Sequence, residues 1–234
     1  MSQFYSSDQT ELSRVVLGDV LEMVPQAILI GGWGTWVRTG GPMSHDIDLI
    51  LSRYELDRLG ALIGDLSVSR HLAGTKWRGT WKGIHLDLYV AYSSRLGANL
   101  QLKVEELEEY AERVGSYRVL SIAAHTATKI AALLDRPDSM PGRKDRQEIL
   151  KLLEDPCSSE TPGVVARASS REHSEVAVLL GRAFELLVGE PALGQRDRTR
   201  LRRTAAGWQQ ALDRAFELRK SRESTRSVGD DLGS

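Results

Sequence analysis

Asp46 and Asp48 stand two residues apart in the short apolar run Asp46-Ile47-Asp48-Leu49-Ile50. On an extended strand this spacing points both carboxylates to one face, with Cα atoms roughly 7 Å apart. Carboxylates held that close repel, and a divalent cation resolves the repulsion. An all-oxygen donor set favours Mg²⁺ or Mn²⁺ over zinc. Asp87, in His85-Leu86-Asp87-Leu88-Tyr89, has its apolar neighbours on the opposite face of its own predicted strand. If that strand pairs beside the one carrying Asp46 and Asp48, a third carboxylate joins them. Three such acids hold two metals, one activating an attacking hydroxyl and one bridging the phosphates of a nucleotide. Taken alone, Asp-x-Asp is equally compatible with a solvated strand end.

Upstream, Gly31-Gly32 closes an apolar run and is followed by Trp33-Gly34-Thr35-Trp36. Glycines at a strand end let backbone N–H groups approach a polyphosphate, and a helix starting at Trp33 would aim its positive end at the same anion. The segment lacks the third glycine of a dinucleotide fingerprint, and no Lys-Ser/Thr follows to make a P-loop.

A Gly-Gly turn followed at short distance by Asp-x-Asp resembles the polymerase-β-type nucleotidyltransferase superfamily. The matching segments are Leu29-Ile30-Gly31-Gly32-Trp33 and Ser44-His45-Asp46-Ile47-Asp48-Leu49. Further along, Tyr117-Arg118-Val119-Leu120-Ser121, then 128–136 around Lys129, then Arg143-Lys144-Asp145-Arg146 resemble the later motifs of the AbiEii/MenT toxin family. Together the two matches span about residues 28 to 153. The resemblance implies an α/β (α+β) fold with a mixed sheet flanked by helices. It also implies Mg²⁺-dependent transfer of a nucleotide from an NTP, tRNA as acceptor, and a cognate antitoxin protein as partner. Asp46, Asp48, Lys129 and Asp145 are then the expected catalytic residues, Asp46, Asp48 and Asp87 the metal ligands. Gly31, Gly32, Thr35, Ser44 and Lys129 are the expected nucleotide contacts. The opening motif is similar as well to aminoglycoside and lincosamide nucleotidyltransferases, whose acceptor is a small antibiotic. A nucleotide-binding module without transfer is a third reading, against which the joint presence of two metal-holding acids argues.

Read from the residues alone, Lys129 shares a helix face with Ile122 and Leu133, and Asp145 with Ile149 and Leu152. Each places a charge on an inward face, where it needs a partner. A triphosphate suits Lys129, and Asp145 could orient that lysine or a base. The alternatives are that Lys129 snorkels to solvent and that Asp145 complements the first turn of its helix. His45 and His85 read as packing or hydrogen-bonding residues, and Ser44 as a contact to phosphate or a plain turn residue.

The elements that must position these groups follow from periodicity. Helices are predicted over 10–24, 53–62, 104–114, 121–136, 143–153, 172–188 and 198–218, and strands over 26–31 and 46–51. Residues 75–81 and 84–90 read as a hairpin turning at Lys82-Gly83. The stretch 155–170, with two Pro, one Gly and four Ser, is the best linker candidate. It divides a nucleotidyltransferase domain at 1–155 from a C-terminal helical region at 156–220, with a flexible polar tail at 221–234.

Composition bounds the rest. With 234 residues, 41% apolar and 27% charged, the chain is an ordinary globular protein of one domain or two small ones. No apolar stretch approaches the ~18 residues of a membrane span, and the N-terminal residues show no signal pattern. One cysteine, Cys157, rules out an internal disulfide and fits the cytoplasm. Between Arg196 and Arg226 ten Lys or Arg face four acids, a local +6 that leaves −7 on the rest of a chain of net charge −1. A basic element on an acidic body suggests an anionic partner, with Arg196, Arg198, Arg200, Arg202 and Arg203 as expected RNA contacts. A solvated helix face is the plainer reading of the same run.

Overall fold

The computed structural model describes residues 7–71 and 74–230. The extreme N-terminus and the last four residues of the tail lie outside the described residues. The N-terminal half contains α1 (Ser7–Met23), β1 (Ile28–Leu29), α2 (Gly31–Thr39), β2 (Ile47–Leu51), α3 (Arg53–Gly60), β3 (Ser67–His71), β4 (Gly74–Trp81) and β5 (Ile84–Val90). After β6 (Arg95–Leu96) and β7 (Leu102–Lys103) come α4 (Val104–Glu108), β8 (Ala111–Val114) and β9 (Tyr117–Leu120). The remainder is helical: α5 (Ile122–Asp135), α6 (Met140–Leu152), a 3-10 turn (Pro156–Glu160), α7 (Thr161–Ala168), α8 (His173–Val188) and α9 (Gln195–Asp230).

Seven strands form one mixed sheet in the order β3-β4-β5-β2-β1-β9-β8, and β6 and β7 form a separate pair. Strand β2 runs parallel to β5, and β1 parallel to β9. The fold is therefore the expected α/β class, a mixed sheet flanked by helices with helices at its C-terminal end.

The two-residue period of the central strands divides the core into two layers. Leu29, Leu49, Leu51, Leu86, Leu88 and Val119 pack on one face with Val16, Leu17 and Val20 of α1. Ile28, Ile50 and Leu120 pack on the other with α5, α7, α8 and α9. Asp48 has the parity of Ile50, and Asp87 that of Tyr89, so both carboxylates face the α5 side. Helix α5 lies in the middle of that layer, buried almost all round, and its alanines let neighbours approach closely.

Three expectations are corrected. Residues 104–114 are not one helix: α4 stops at Glu108, and 111–114 form β8, a hairpin partner of β9 turning at Gly115 with φ +60°. The alternating acids of this stretch imitate a helix surface, while the pairing with β9 decides the outcome. The stretch 155–170 is not a linker. It folds into the 3-10 turn and α7, where Val164, Val165 and Ala168 are buried and Thr161 Oγ1 donates to the Ala123 carbonyl. Helix α9 continues through residues 221–230 of the expected tail. Strand β3 escapes periodicity because it is a sheet edge whose only large apolar residue, Val68, is exposed. Among the described residues no helix is long and apolar enough to cross a membrane.

Candidate active site

The parallel register sets Asp48 directly beside Asp87, and the antiparallel register of β4 sets Arg78 opposite Asp87. The Ile30 amide donates to the Asp48 carbonyl at 3.0 Å, so Gly31 comes next along the same line across the sheet. Gly31 has φ +62°, and a Cβ there would meet Asp48 Oδ2 at 2.0 Å. Only glycine satisfies both the left-handed backbone and this approach. Helix α2 begins at Gly31 with no side-chain cap, so its first amides have no partner within the helix. Gly32 lies against Ser44 Oγ and Lys144 Nζ, which would stand 2.7 and 3.2 Å from an added Cβ.

These residues line one cavity of about 950 Å³ together with Asp46, Lys76, Lys129 and Arg136. Its roof is a buried ion network between α5 and α6. Lys129 Nζ is 3.2 Å from Asp145 and 2.5 Å from Glu148, Arg136 reaches Asp145 at 2.9 Å, and Lys144 stands 3.7 Å from Glu148. Glu148 and Asp145 overcome the burial that would depress Lys129, raising its pKa and keeping it charged. Burial and the Lys129 charge hold Lys144 lower than an ordinary lysine despite Glu148. Gly142 makes the network possible, since a Cβ there would meet the Arg136 carbonyl at 2.0 Å.

Burial, and then the charges of Asp87 and Asp46, push Asp48 up to about 6 against the pull of Lys129 and Lys76. Among the described residues Asp48 has no ion pair of its own, unlike Asp87, which takes Lys76 at 2.6 Å and Arg78 at 2.9 Å. No three His, Cys, Asp or Glu among the described residues come together as a metal-binding group. Asp87 shares the cavity with Asp46 and Asp48, and its two oxygens are paired with Lys76 and Arg78 of β4. Asp46 and Asp48 still fit a hard divalent cation, because Mg²⁺ is ordinarily held by one or two carboxylates with phosphate and water completing its shell.

A carboxyl raised in the folded state stabilises the fold below its unfolded pKa and loses that contribution as pH rises through the folded value. The metal-free protein should therefore lose thermal stability between about pH 4 and pH 7, and Asp48→Asn should flatten the profile. A Tm profile in the variant identical to that of the parent would contradict this.

Gly31, Gly32, Ser44, Asp46, Asp48, Asp87, Lys129 and Asp145 all line the cavity. Thr35 does not. It is buried behind the turn, its hydroxyl donating to the Gly31 carbonyl at 3.0 Å and lying 2.9 Å from His125 Nε2. Lys129 does not snorkel; it is 5% exposed. Sequence reasoning assigns no role to Lys144, Glu148, Arg136, Lys76 or Arg78. The Lys144/Glu148 spacing is a visible helical i,i+4 pair, but the inward turn of that pair depends on how α6 packs on α5.

The basic run divides in two. Arg198 donates to the carbonyls of Leu193, Val188 and Glu190, closing the end of α8. Arg196, Arg200, Arg202 and Arg203 are exposed. At about 100° per residue, Arg196, Arg200, Arg203 and Arg214 form one stripe. It lies opposite the buried Leu201, Trp208, Leu212 and Phe216.

No family model and no curated protein matches the chain. Among solved structures it is similar to JHP933 from Helicobacter pylori, at 13% identity and TM-score 0.43, covering 96% of this chain and 100% of that one. It is also similar to an antigenic nucleotidyltransferase-like protein from Paracoccidioides brasiliensis, at 14% identity and TM-score 0.36, covering 64% and 77%. Overlaps of this size leave the chemistry to be judged from the cavity.

Proposed function

We propose that this chain transfers a nucleotidyl group from an NTP to an acceptor hydroxyl, releasing pyrophosphate. The observation that carries the reading is the close approach of Gly31 and Asp48, which puts the first amides of α2 and, among the described residues, a carboxylate without an ion pair at one point of a cavity lined by lysines, arginines and aspartates. Amides and lysines suit phosphate oxygens, and an acid among them suits a cation travelling with those phosphates. Asp46 and Asp48 would hold Mg²⁺, which supplies charge neutralisation at the reacting phosphate. The Gly31-Gly32 amides, Ser44 and Lys144 bind and orient the triphosphate. Lys129, fixed by Asp145 and Glu148, adds a positive charge that needs no reorganisation when the substrate arrives.

The acceptor we propose is tRNA, and the biological role that of a toxin restrained by a cognate antitoxin. Two things support this: the resemblance to the AbiEii/MenT motifs, and the arginine stripe of α9, which presents its charge to solvent on the side away from the core. Replacing Arg196, Arg200 and Arg203 with Ala should weaken tRNA binding, while NTP binding stays unchanged. The slope of log affinity against log salt should become shallower by about 0.7–0.9 for each phosphate that the variant no longer neutralises. Unaltered tRNA binding in that variant would remove α9 from the acceptor surface.

A further inference from the structure

The Gly31-Gly32 turn presents a physical difficulty that its neighbours resolve. Two adjacent glycines have more backbone freedom than any other pair, and placed as the first two residues of α2 they invite fraying, which makes a poor anion site because ordering it opposes binding. Behind the turn, away from the cavity, the Thr35 hydroxyl donates to the Gly31 carbonyl at 3.0 Å. A carbonyl can only accept, so with that hydroxyl proton donated to Gly31 the Thr35 oxygen accepts from His125 Nε2, 2.9 Å away, and the same ring reaches the Gly31 backbone directly. Burial, helped by the charges of Lys129 and Arg38, pushes His125 down to about 3, so the ring is neutral and carries a single N–H. The geometry puts that proton on Nε2. The approach depends on Gly34, where a Cβ would meet His125 Cε1 at 2.6 Å.

We infer that His125 and Thr35 form a relay that fixes the Gly31 carbonyl toward α5 and so holds the Gly32 amide, on the other side of the same peptide plane, toward the cavity as part of a preorganised phosphate site. Both are positioning residues, since neither lines the cavity. The relay starts on α5 one turn before Lys129, so a single buried helix sets both the amide side and the lysine side of the site. Thr35 reads in sequence as a direct nucleotide contact; its hydrogen bonds place it one layer back. His125 is the donor that completes the chain.

As a statement about phosphate binding, the inference rests on the proposed nucleotide site, so two readouts are needed. One is the backbone order parameters of Gly31 and Gly32 in the ligand-free protein. The other is affinity for Mg²⁺-tripolyphosphate, a probe independent of the base. Thr35→Val keeps the shape and removes the central hydroxyl; His125→Leu removes the donor; His125→Gln keeps an N–H near the Nε2 position. The two order parameters should fall from about 0.85 to below about 0.6 in Thr35→Val and His125→Leu. Affinity should fall about ten-fold in each, about 1.4 kcal/mol, with the double variant no worse than either single one. His125→Gln should recover most of both. Folded Thr35→Val with parental order at Gly31 and Gly32 would overturn the relay. Parental chain that does not bind tripolyphosphate would overturn the nucleotide site, while the order parameters would still decide the relay.

Discussion

Replacing Lys129 with Ala is expected to destabilise the fold by about 3–5 kcal/mol, an effect larger than an ordinary surface substitution produces. Lys129 stands between two buried carboxylates, Asp145 and Glu148, each less than about one-twentieth exposed. Removing the cation leaves Asp145 with Arg136 alone and Glu148 with the more distant Lys144. The cost is chiefly that of an uncompensated buried charge. In a chain of this size it corresponds to a fall in Tm of roughly 10 °C. Lys129→Met combined with Glu148→Leu removes cation and anion together and should recover more than half of the loss. A Tm for Lys129→Ala within about 2 °C of the parent would show that the network is not what joins α5 to α6.

The same network explains how far the site is legible in the sequence. Asp-x-Asp and Gly-Gly are legible because their chemistry depends on residue type and on a strand period of two, both local. The third acid is legible as a face, and the parallel pairing of β2 with β5 turns that face into a position beside Asp48. The partners of Asp87 are not legible, because Lys76 and Arg78 reach it only through the β4–β5 register. Charges on inward helix faces mark Lys129 and Asp145 as residues in need of partners. Those partners include Glu148, whose place depends on the crossing of two helices.

The failures have the same origin. Periodicity does not separate β8 from a continuation of α4, because hydrogen bonding to β9 and the left-handed Gly115 make that choice, not the pattern of acids. Pro156 and Pro162 suggest a break, yet each stands in the first turn of its element, where a missing amide proton costs nothing. Arg198 has the composition of an RNA contact and the position of a cap. Thr35 has the sequence position of a phosphate ligand and the hydrogen bonds of a support.

The larger effect on activity belongs to the acids. Replacing Asp48 with Asn, or Asp46 with Ala, should lower transfer by at least about 10²–10³-fold, the loss expected when charge stabilisation at the reacting phosphate is removed. Asp48→Asn keeps the size of the side chain against Gly31 and relieves its raised pKa, so the fold should be kept or strengthened while activity disappears. That separation distinguishes a chemical role from a structural one. The direct measurement incubates the full chain with Mg²⁺, total tRNA and each NTP in turn, labelled at the α-phosphate in one series and the γ-phosphate in another. Label should pass to the acceptor from the α-phosphate only, with release of pyrophosphate, and should not pass with Asp48→Asn. Transfer of the γ-label, or α-label transfer that survives Asp48→Asn, would contradict the assignment of this cavity to nucleotidyl transfer.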